Sequence, residues 1–192
     1  MKRREFIAGL GSAAAWPLVA RAEQPSVPVI GFLGLSSAKA NAPYTAWFGR
    51  GLNEAGFTEG QNVIIQYRWA DGHYDRLPSL ATQMVRDHVA IIFASGGTPP
   101  TMAAVAATDS IPIVFSVGED PVKQGLVPSI NRPGGNVTGV TFTSTPLGAK
   151  RLELLRELNP KAALVGLLVN PNSVAAEGER RQLELLALLW QI

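Results

Sequence analysis

A short apolar run that stops at a glycine-rich turn constrains the fold of this chain most. Residues 90–94 are apolar throughout, and Ser95-Gly96-Gly97-Thr98 and two prolines follow them. A continuous apolar run is typical of a strand buried in a parallel sheet, and proline is tolerated in the first turn of a helix. We therefore predict a strand that ends at Ala94 and a helix that begins near Pro99. The backbone N–H groups of the turn between them can bind an anion, either a carboxylate or a phosphate.

The rest of the chain alternates between apolar runs of strand length and segments with helical spacing. Helical spacing is found over 44–55, where Gly56 is a candidate left-handed helix end, and again over 75–85. Because parallel strands need crossover connections that are usually helical, this order predicts an α/β fold in which helices cover both faces of a parallel sheet. The further strands that we predict are 29–34, 61–69, 111–117 and 137–142.

Local signals also predict where helices begin and how the C-terminal part folds. Asp75 is a candidate N-cap with Pro78 in the first turn, and Asp120 is a candidate cap for a short helix that starts at Pro121. Farther on, we predict an amphipathic helix over 147–158, a buried strand over 163–169 and a last helix from about residue 175. The apolar anchors expected in helix 147–158 are Leu152, Leu154, Leu155 and Leu158.

Several polar residues come directly after predicted strands. Ser36 and Ser37 follow the first strand, Ser95-Gly96-Gly97-Thr98 follow the third, and Asp120 follows the fourth. Because ligands of parallel sheets bind outside the carboxyl ends of the strands, we expect these residues to meet at one rim. Trp47 and Trp69 are interpreted as core or rim residues, and Trp69 is the better candidate of the two to line a cleft.

The first 22 residues have the pattern of an export signal. Arg3-Arg4 is followed by a mildly apolar run over 6–20 that ends at Ala20-Arg21-Ala22. This run is shorter than the roughly 20 apolar residues that a membrane span requires. The paired arginines favour the twin-arginine route, which exports folded proteins, so we expect a periplasmic protein. An amphipathic helix of the mature protein is the alternative.

Charge and composition exclude other classes of function. The 17 basic and 15 acidic residues of the whole chain become 13 and 14 without residues 1–22, so the basic excess belongs to the leader. No basic patch with interleaved aromatic residues is left to indicate nucleic-acid binding. The chain has no cysteine, which excludes disulfides and thiolate metal sites, and we expect neither a metal ion nor a cofactor.

Six motifs occur together and in one order along the chain. They are Arg3-Arg4-Glu5-Phe6-Ile7, residues 29–33, Tyr74-Asp75-Arg76-Leu77-Pro78, Ser95-Gly96-Gly97-Thr98, residues 117–122 and residues 132–139. In these motifs the chain resembles the ABC-transporter substrate-binding proteins, a family that includes tryptophan and tyrosine binders. The family has the type 1 periplasmic-binding fold, in which two α/β lobes joined by a hinge clamp the ligand between them.

The resemblance implies a non-catalytic solute-binding protein of an ABC importer. Residues 1–22 would be the export signal, 23–143 the N-terminal α/β lobe, and 144–192 the hinge with a fragment of the second lobe. The implied solute is small, carboxylate-bearing and amino-acid-like, with aromatic amino acids among the candidates. The implied partner is an ABC permease in the inner membrane, and intact members of the family are expected to be monomers.

The resemblance also implies which residues contact the solute. The turn at 95–98 would receive a carboxylate, and Asp120 would either accept a hydrogen bond from an ammonium group or cap its own helix. The implied ligand-binding residues are Ser36, Ser37, Ser95, Gly96, Gly97, Thr98, Asp120, Ser144 near the hinge, and Asn170 from the second lobe.

The resemblance covers roughly residues 1–173, and the leucine-rich tail after Arg181 departs from it. Members of the family continue through a whole second lobe, so we interpret the reading frame as truncated or frameshifted. An unfinished sheet exposes an open edge and an apolar face, which favours aggregation or self-association. We therefore expect the chain to bind its ligand weakly or not at all.

Three other functions are alternatives. A dinucleotide enzyme is disfavoured because Gly31-Phe32-Leu33-Gly34 is not a G-x-G-x-x-G turn. An α/β hydrolase is disfavoured because Ser95 lacks the preceding glycine of a nucleophile elbow and no histidine follows His88. His73 and His88 are interpreted as solvated side chains. A periplasmic ligand-sensing module would have the same fold, and the sequence does not separate it from a transport protein.

Overall fold

The computed structural model describes residues 27–142, 147–168, 180–181 and 183–184. Strands and helices alternate along the larger part of this chain, and none of the described helices is long and apolar enough to cross a membrane. The elements are β1 (Val29–Gly34), α1 (Ala38–Glu54), β2 (Ile64–Trp69), a 3₁₀ turn (Tyr74–Arg76), α2 (Leu77–Arg86), β3 (Ile91–Ser95), α3 (Thr98–Ala107), β4 (Ile113–Val117), β5 (Val137–Thr141) and α4 (Leu147–Leu158).

The five strands form one sheet in the order β2-β1-β3-β4-β5, and every pairing in it is parallel. The predicted α/β fold with a parallel sheet is therefore confirmed. The strand order changes direction between β1 and β3, which is where ligands bind in open parallel sheets. Gly34 pairs with both Trp69 and Ser95, so the carboxyl ends of β1, β2 and β3 lie level with one another.

The sheet face that packs against α2 and α3 carries the aliphatic core. Leu33, Ile92 and Ile113 are fully buried there. Met84 of α2 approaches β1 so closely that a Cβ added at Gly31 would lie 2.9 Å from its sulfur atom. The predicted helical stripe is confirmed, because the apolar residues of α2 that face the sheet are buried: Leu77, Leu80, Ala81 and Met84.

The opposite sheet face carries aromatic side chains. Phe32 of β1 pairs in register with Tyr67 of β2 and Phe93 of β3, at ring-centroid distances of 5.4 and 5.1 Å. Phe48 of α1 stacks on Phe93 at 4.6 Å and meets Phe32 edge-on at 5.3 Å. Aromatic contacts of this geometry add to the stabilisation from burial, and they hold α1 on this face of the sheet.

Helix α1 begins at Ala38 rather than at residue 44, and Pro43 lies inside it. The reason is a cap that the prediction did not use: the Ser37 hydroxyl accepts a hydrogen bond from the Ala40 backbone N–H at 3.3 Å. Such a cap stabilises the turns that precede Pro43, although the proline itself cannot donate a helical hydrogen bond. The predicted end is confirmed, because Gly56 has a φ of 85° just after the helix.

The predicted start of α2 is wrong in part. Asp75 does not cap α2, because it lies inside the 3₁₀ turn and the cap position belongs to Arg76, whose backbone is already helical. A side chain caps a helix when the backbone of its residue is extended. The backbone of Arg76 is helical, so no side chain caps the start of α2. Pro78 does lie in the first turn of α2, as predicted.

The connection between β4 and β5 contains turns at residues 121–125 and 135–136 and no helix. The helix predicted to start at Pro121 is wrong, because Gly125 takes a left-handed φ of 71° one turn later and ends the helical path. The Leu126 N–H donates to the Pro121 carbonyl at 2.9 Å, and the side chains of Leu126 and Val127 are buried under the sheet edge.

In the C-terminal part, the predicted helix is present and the predicted strand is not. Helix α4 has the predicted bounds, but Leu152 is the one buried anchor of the four, and Leu154, Leu155 and Leu158 are exposed. The strand predicted over 163–169 is absent from its described residues 163–168, where Leu164 and Leu168 are almost fully exposed. An apolar run forms a strand only when a neighbouring strand accepts its hydrogen bonds, and none of the described strands pairs with this one.

Candidate functional site

The loops that follow β1, β3 and β4 lie at one edge of the sheet. The Leu35 N–H donates to the Ser95 carbonyl at 3.3 Å, so the first loop leaves the sheet beside the third strand. The loop after β4 reaches the turn after β3, where the Thr98 hydroxyl donates to a Glu119 carboxylate oxygen at 3.1 Å. The structure therefore brings Ser36, Thr98 and Asp120 to the same edge.

The turn after β3 depends on two glycines in backbone conformations that other residues rarely adopt. Gly96 and Gly97 both have a φ of 101°. A Cβ at Gly96 would also lie 2.9 Å from the Leu35 Cβ, so the glycine lets two loops pass each other closely. The predicted turn is thus present, although β3 extends to Ser95 and α3 begins at Thr98, one residue away from the predicted bounds in each case.

The first turn of α3 offers fewer hydrogen-bond donors than an ordinary helix start. Gly97 occupies the N-cap position without a side-chain cap, and Pro99 and Pro100 follow Thr98. The first N–H groups of a helix have no partner within it, but the two prolines have no N–H to offer. Backbone donors for a solute therefore come from the turn at 95–98 rather than from the helix body.

Glu119 faces this turn, and the sequence analysis did not single it out. One carboxylate oxygen accepts the hydrogen bond from Thr98, whose side chain is 6% exposed, and the other lies 4.0 Å from the position of a Cβ on Gly97. A negative charge is favourable at a helix N-terminus, so Glu119 supplies the anion that α3 lacks in its own sequence. The Glu119 carbonyl also accepts a hydrogen bond from the Thr141 hydroxyl at 2.9 Å, which fixes the backbone at this position.

Asp120 caps its own turn. One of its carboxylate oxygens accepts hydrogen bonds from the backbone N–H groups of Val122 at 2.9 Å and Lys123 at 3.2 Å. Of the two roles considered for Asp120, the structure shows the cap. The cap holds a turn rather than the predicted helix.

Ser36 and Ser37 lie at the rim and already accept local hydrogen bonds. The Ser36 hydroxyl accepts from the side-chain amide of Asn41, and Ser37 caps α1 through Ala40. Asn41 is 7% exposed and also donates to the Ser37 carbonyl at 3.1 Å, so it locks the loop after β1. A hydroxyl that accepts a bond still has its own O–H to donate, which leaves both serines able to bind a carboxylate.

The Trp69 ring packs against Gly34 at the end of β1. A Cβ at Gly34 would overlap the Trp69 ring, which is stacked on Tyr67 at 5.8 Å with an angle of 11° between the ring planes. Trp69 therefore belongs to the aromatic face and borders the rim. Burial raises the pKa of the Tyr67 phenol, and the carboxylate of Glu59 adds to the increase. Trp47, interpreted as core or rim, is 66% exposed with Arg50 stacked at 5.4 Å.

Two of the implied contact residues, Ser144 and Asn170, lie outside the described residues. Next to the rim, a mainly apolar groove of about 390 Å³ runs between α2 and α3. Thr98 and Glu119 are among the residues that line it, and Glu119 is partly exposed.

Comparison with known proteins assigns the chain to a family. The sequence profile described as ABC transporter substrate binding protein matches residues 39–189. The chain belongs to this family. Its members bind solutes and are not enzymes, so the dinucleotide-enzyme and hydrolase alternatives do not apply. The tyrosine-binding protein of Clostridioides difficile (strain R20291) is 38% identical over 128 residues, which cover 66% of this chain and 36% of that protein.

Solved structures show the same fold. A conserved domain protein from Vibrio cholerae is 29% identical with a TM-score of 0.75, and the match covers 86% of this chain and 55% of that chain. An ABC domain from Streptococcus pneumoniae, solved in complex with L-Trp, is 23% identical with a TM-score of 0.73 and covers 87% and 55% of the two chains. The chain thus spans about half the length of these proteins, and the described sheet is one lobe of a type 1 periplasmic-binding fold.

Proposed function

We propose that this chain binds a small, carboxylate-bearing, amino-acid-like solute at the carboxyl edge of its sheet. The observation that carries the proposal is that the loops after β1 and β4 both contact the turn at 95–98, and that this turn and the loop after β1 supply hydroxyl and backbone donors. Membership of the substrate-binding family supports solute binding as the role of this edge.

The donor set at the rim suits a carboxylate. The Ser95 hydroxyl, the backbone N–H groups of Gly96 and Gly97, and the O–H groups of Ser36 and Ser37 can each donate to it. Hydrogen bonds to charged groups contribute about 1.5–3 kcal/mol each, and micromolar binding needs about 8 kcal/mol. Three or four such bonds therefore supply a large share of the affinity, and Ser144 and Asn170 are proposed to add contacts from the hinge and the second lobe.

Aromatic amino acids are the first solutes to test. One relative is named for tyrosine, and a structure of the same fold holds L-Trp. We propose further that residues 1–22 direct export to the periplasm, that residues 23–143 form the first lobe and 144–192 the hinge and part of the second, and that an ABC permease receives the solute.

The experiment is ligand-observed saturation-transfer NMR on the purified chain, which detects binding from micromolar to millimolar dissociation constants. Of the two outcomes expected from the sequence, weak binding and no binding, we propose weak binding. We therefore expect signals for L-tyrosine or L-tryptophan, and we expect Ser95→Ala to raise the dissociation constant about tenfold, which corresponds to 1.4 kcal/mol. Ser110→Ala is the matched control, because Ser110 precedes β4 at the opposite edge of the sheet. An absence of binding, or equal losses in both variants, would contradict the proposed site.

A further inference from the structure

The carboxylate that faces the glycine turn belongs to Glu119 and not to Asp120. Asp120 is occupied by the N–H groups of Val122 and Lys123 in its own turn. Among the described residues, Glu119 has one side-chain hydrogen bond, from the Thr98 hydroxyl, and its second oxygen lies 4.0 Å from the position of a Cβ on Gly97. Within the described part of the chain, no lysine, arginine or histidine forms an ion pair with Glu119.

This arrangement affects every anion that enters the rim. A carboxylate bound to the N–H groups of Gly96 and Gly97 would lie beside a second negative charge, and like charges at such distances disfavour one another. A zwitterion resolves the conflict, because its ammonium group lies next to its own carboxylate and can donate to Glu119.

Glu119 is both fixed and accessible. The hydrogen bond from Thr141 to the Glu119 carbonyl fixes its backbone, and the bond from Thr98 orients its side chain. Glu119 is partly exposed and lines the groove between α2 and α3, so a solute can reach this residue.

We propose that Glu119 is the charge filter of this site: it accepts the ammonium group of an α-amino acid and rejects carboxylates that lack one. This inference rests on the proposed function, because it concerns the same rim. Glu119 then has the ammonium-binding role that the family resemblance implies as one of two roles for Asp120.

The test compares two pairs of solutes that differ in the ammonium group alone. These are L-tryptophan with indole-3-propionate, and L-tyrosine with 3-(4-hydroxyphenyl)propionate. We expect the unmodified chain to bind the amino acid of a pair at least tenfold more tightly than its deaminated partner. Glu119→Gln should reduce this preference to less than threefold, because the amide can still accept the bond from Thr98 but carries no charge.

Two further variants complete the experiment. Asp109→Asn removes the same charge from an exposed position beyond the C-terminus of α3, and it should leave the preference unchanged. Glu119→Asp retains the charge and should still favour the amino acid, which keeps the test decisive if Glu119→Gln does not fold. A preference that survives in Glu119→Gln overturns the filter alone. If the unmodified chain binds none of the four solutes, the proposed function itself is wrong and the filter with it.

Discussion

At the scale of single residues, the rim depends on side chains that are small or absent. Gly96 and Gly97 provide a backbone path that side chains rarely permit, and Gly34 provides the surface on which the Trp69 ring lies. Close approach determines Gly34 and Gly96, and a left-handed backbone determines Gly96 and Gly97. A substitution there therefore changes the geometry of the rim without removing any donor from it.

Gly96→Ala should destabilise the chain. A residue with a side chain pays about 1–2 kcal/mol in a left-handed conformation, and the new methyl group would also press on Leu35. We expect the free energy of unfolding, measured by urea titration with circular dichroism, to fall by at least this amount. Gly51→Ala is the matched control, since Gly51 lies in α1 with open space around it. In a helix, alanine is favoured by up to about 1 kcal/mol, so an equal loss in both variants would contradict the argument.

The residues of the rim could be predicted from sequence only in part. Ser95-Gly96-Gly97-Thr98 has a local signature, because glycines and prolines determine turns through their own backbones. Glu119 has none: it stands beside Asp120 after β4, and nothing in their order shows which carboxylate turns toward Thr98. The choice depends on contact between loops 21 residues apart. Asn41 was also missed, although its contacts are local, because its role is to hold Ser36 and Ser37 in place.

At the scale of elements, apolar periodicity predicted the strands well because each has a neighbour to pair with. The runs at 29–34 and 90–94 form β1 and β3 inside the sheet. Each of these strands has a neighbour on both sides that accepts its hydrogen bonds. Residues 163–168 are equally apolar, but the described sheet gives them no partner and they form no strand. In helix α1, a local contact extends an element beyond its prediction. The cap at Ser37 starts the helix at Ala38, although Pro43 disfavours a helix at these residues.

Tyr67, on the aromatic face of the sheet, should make the stability of the fold decrease at alkaline pH. Burial raises the pKa of Tyr67 in the folded state above its ordinary value of 10.0. The folded state therefore retains this proton longer than the unfolded state does, so the contribution to stability is complete below pH 10 and is lost as the pH rises through the folded-state pKa.

We expect a tyrosinate absorbance titration to show one phenol that ionises later than the others, and Tyr67→Phe to remove it. The same variant should flatten the fall in unfolding free energy above pH 10. Tyr44→Phe is the control, because Tyr44 is 68% exposed on α1. The explanation would fail if the late phenol persisted in Tyr67→Phe or disappeared in Tyr44→Phe.

At the scale of the whole molecule, the sheet ends on one side at β5, which pairs with β4 alone among the described strands. Val140 and Phe142 are 62% and 65% exposed at this edge. An edge strand with apolar side chains is a template for pairing with another chain. We therefore predict that this edge is the surface of the self-association expected from the sequence.

Val140→Lys should reduce self-association at this surface. A lysine on an edge strand opposes pairing between chains through its charge and its solvation. We expect sedimentation velocity of the unmodified chain to show a mass that increases with concentration, and Val140→Lys to reduce this increase while the unfolding midpoint stays close to that of the unmodified chain. Val105→Lys is the matched control, because it places the same charge at a partly exposed valine of α3, away from the sheet edge. If both lysines reduced association equally, net charge rather than β5 would govern it, and a mass independent of concentration in the unmodified chain would remove the edge as an interface altogether.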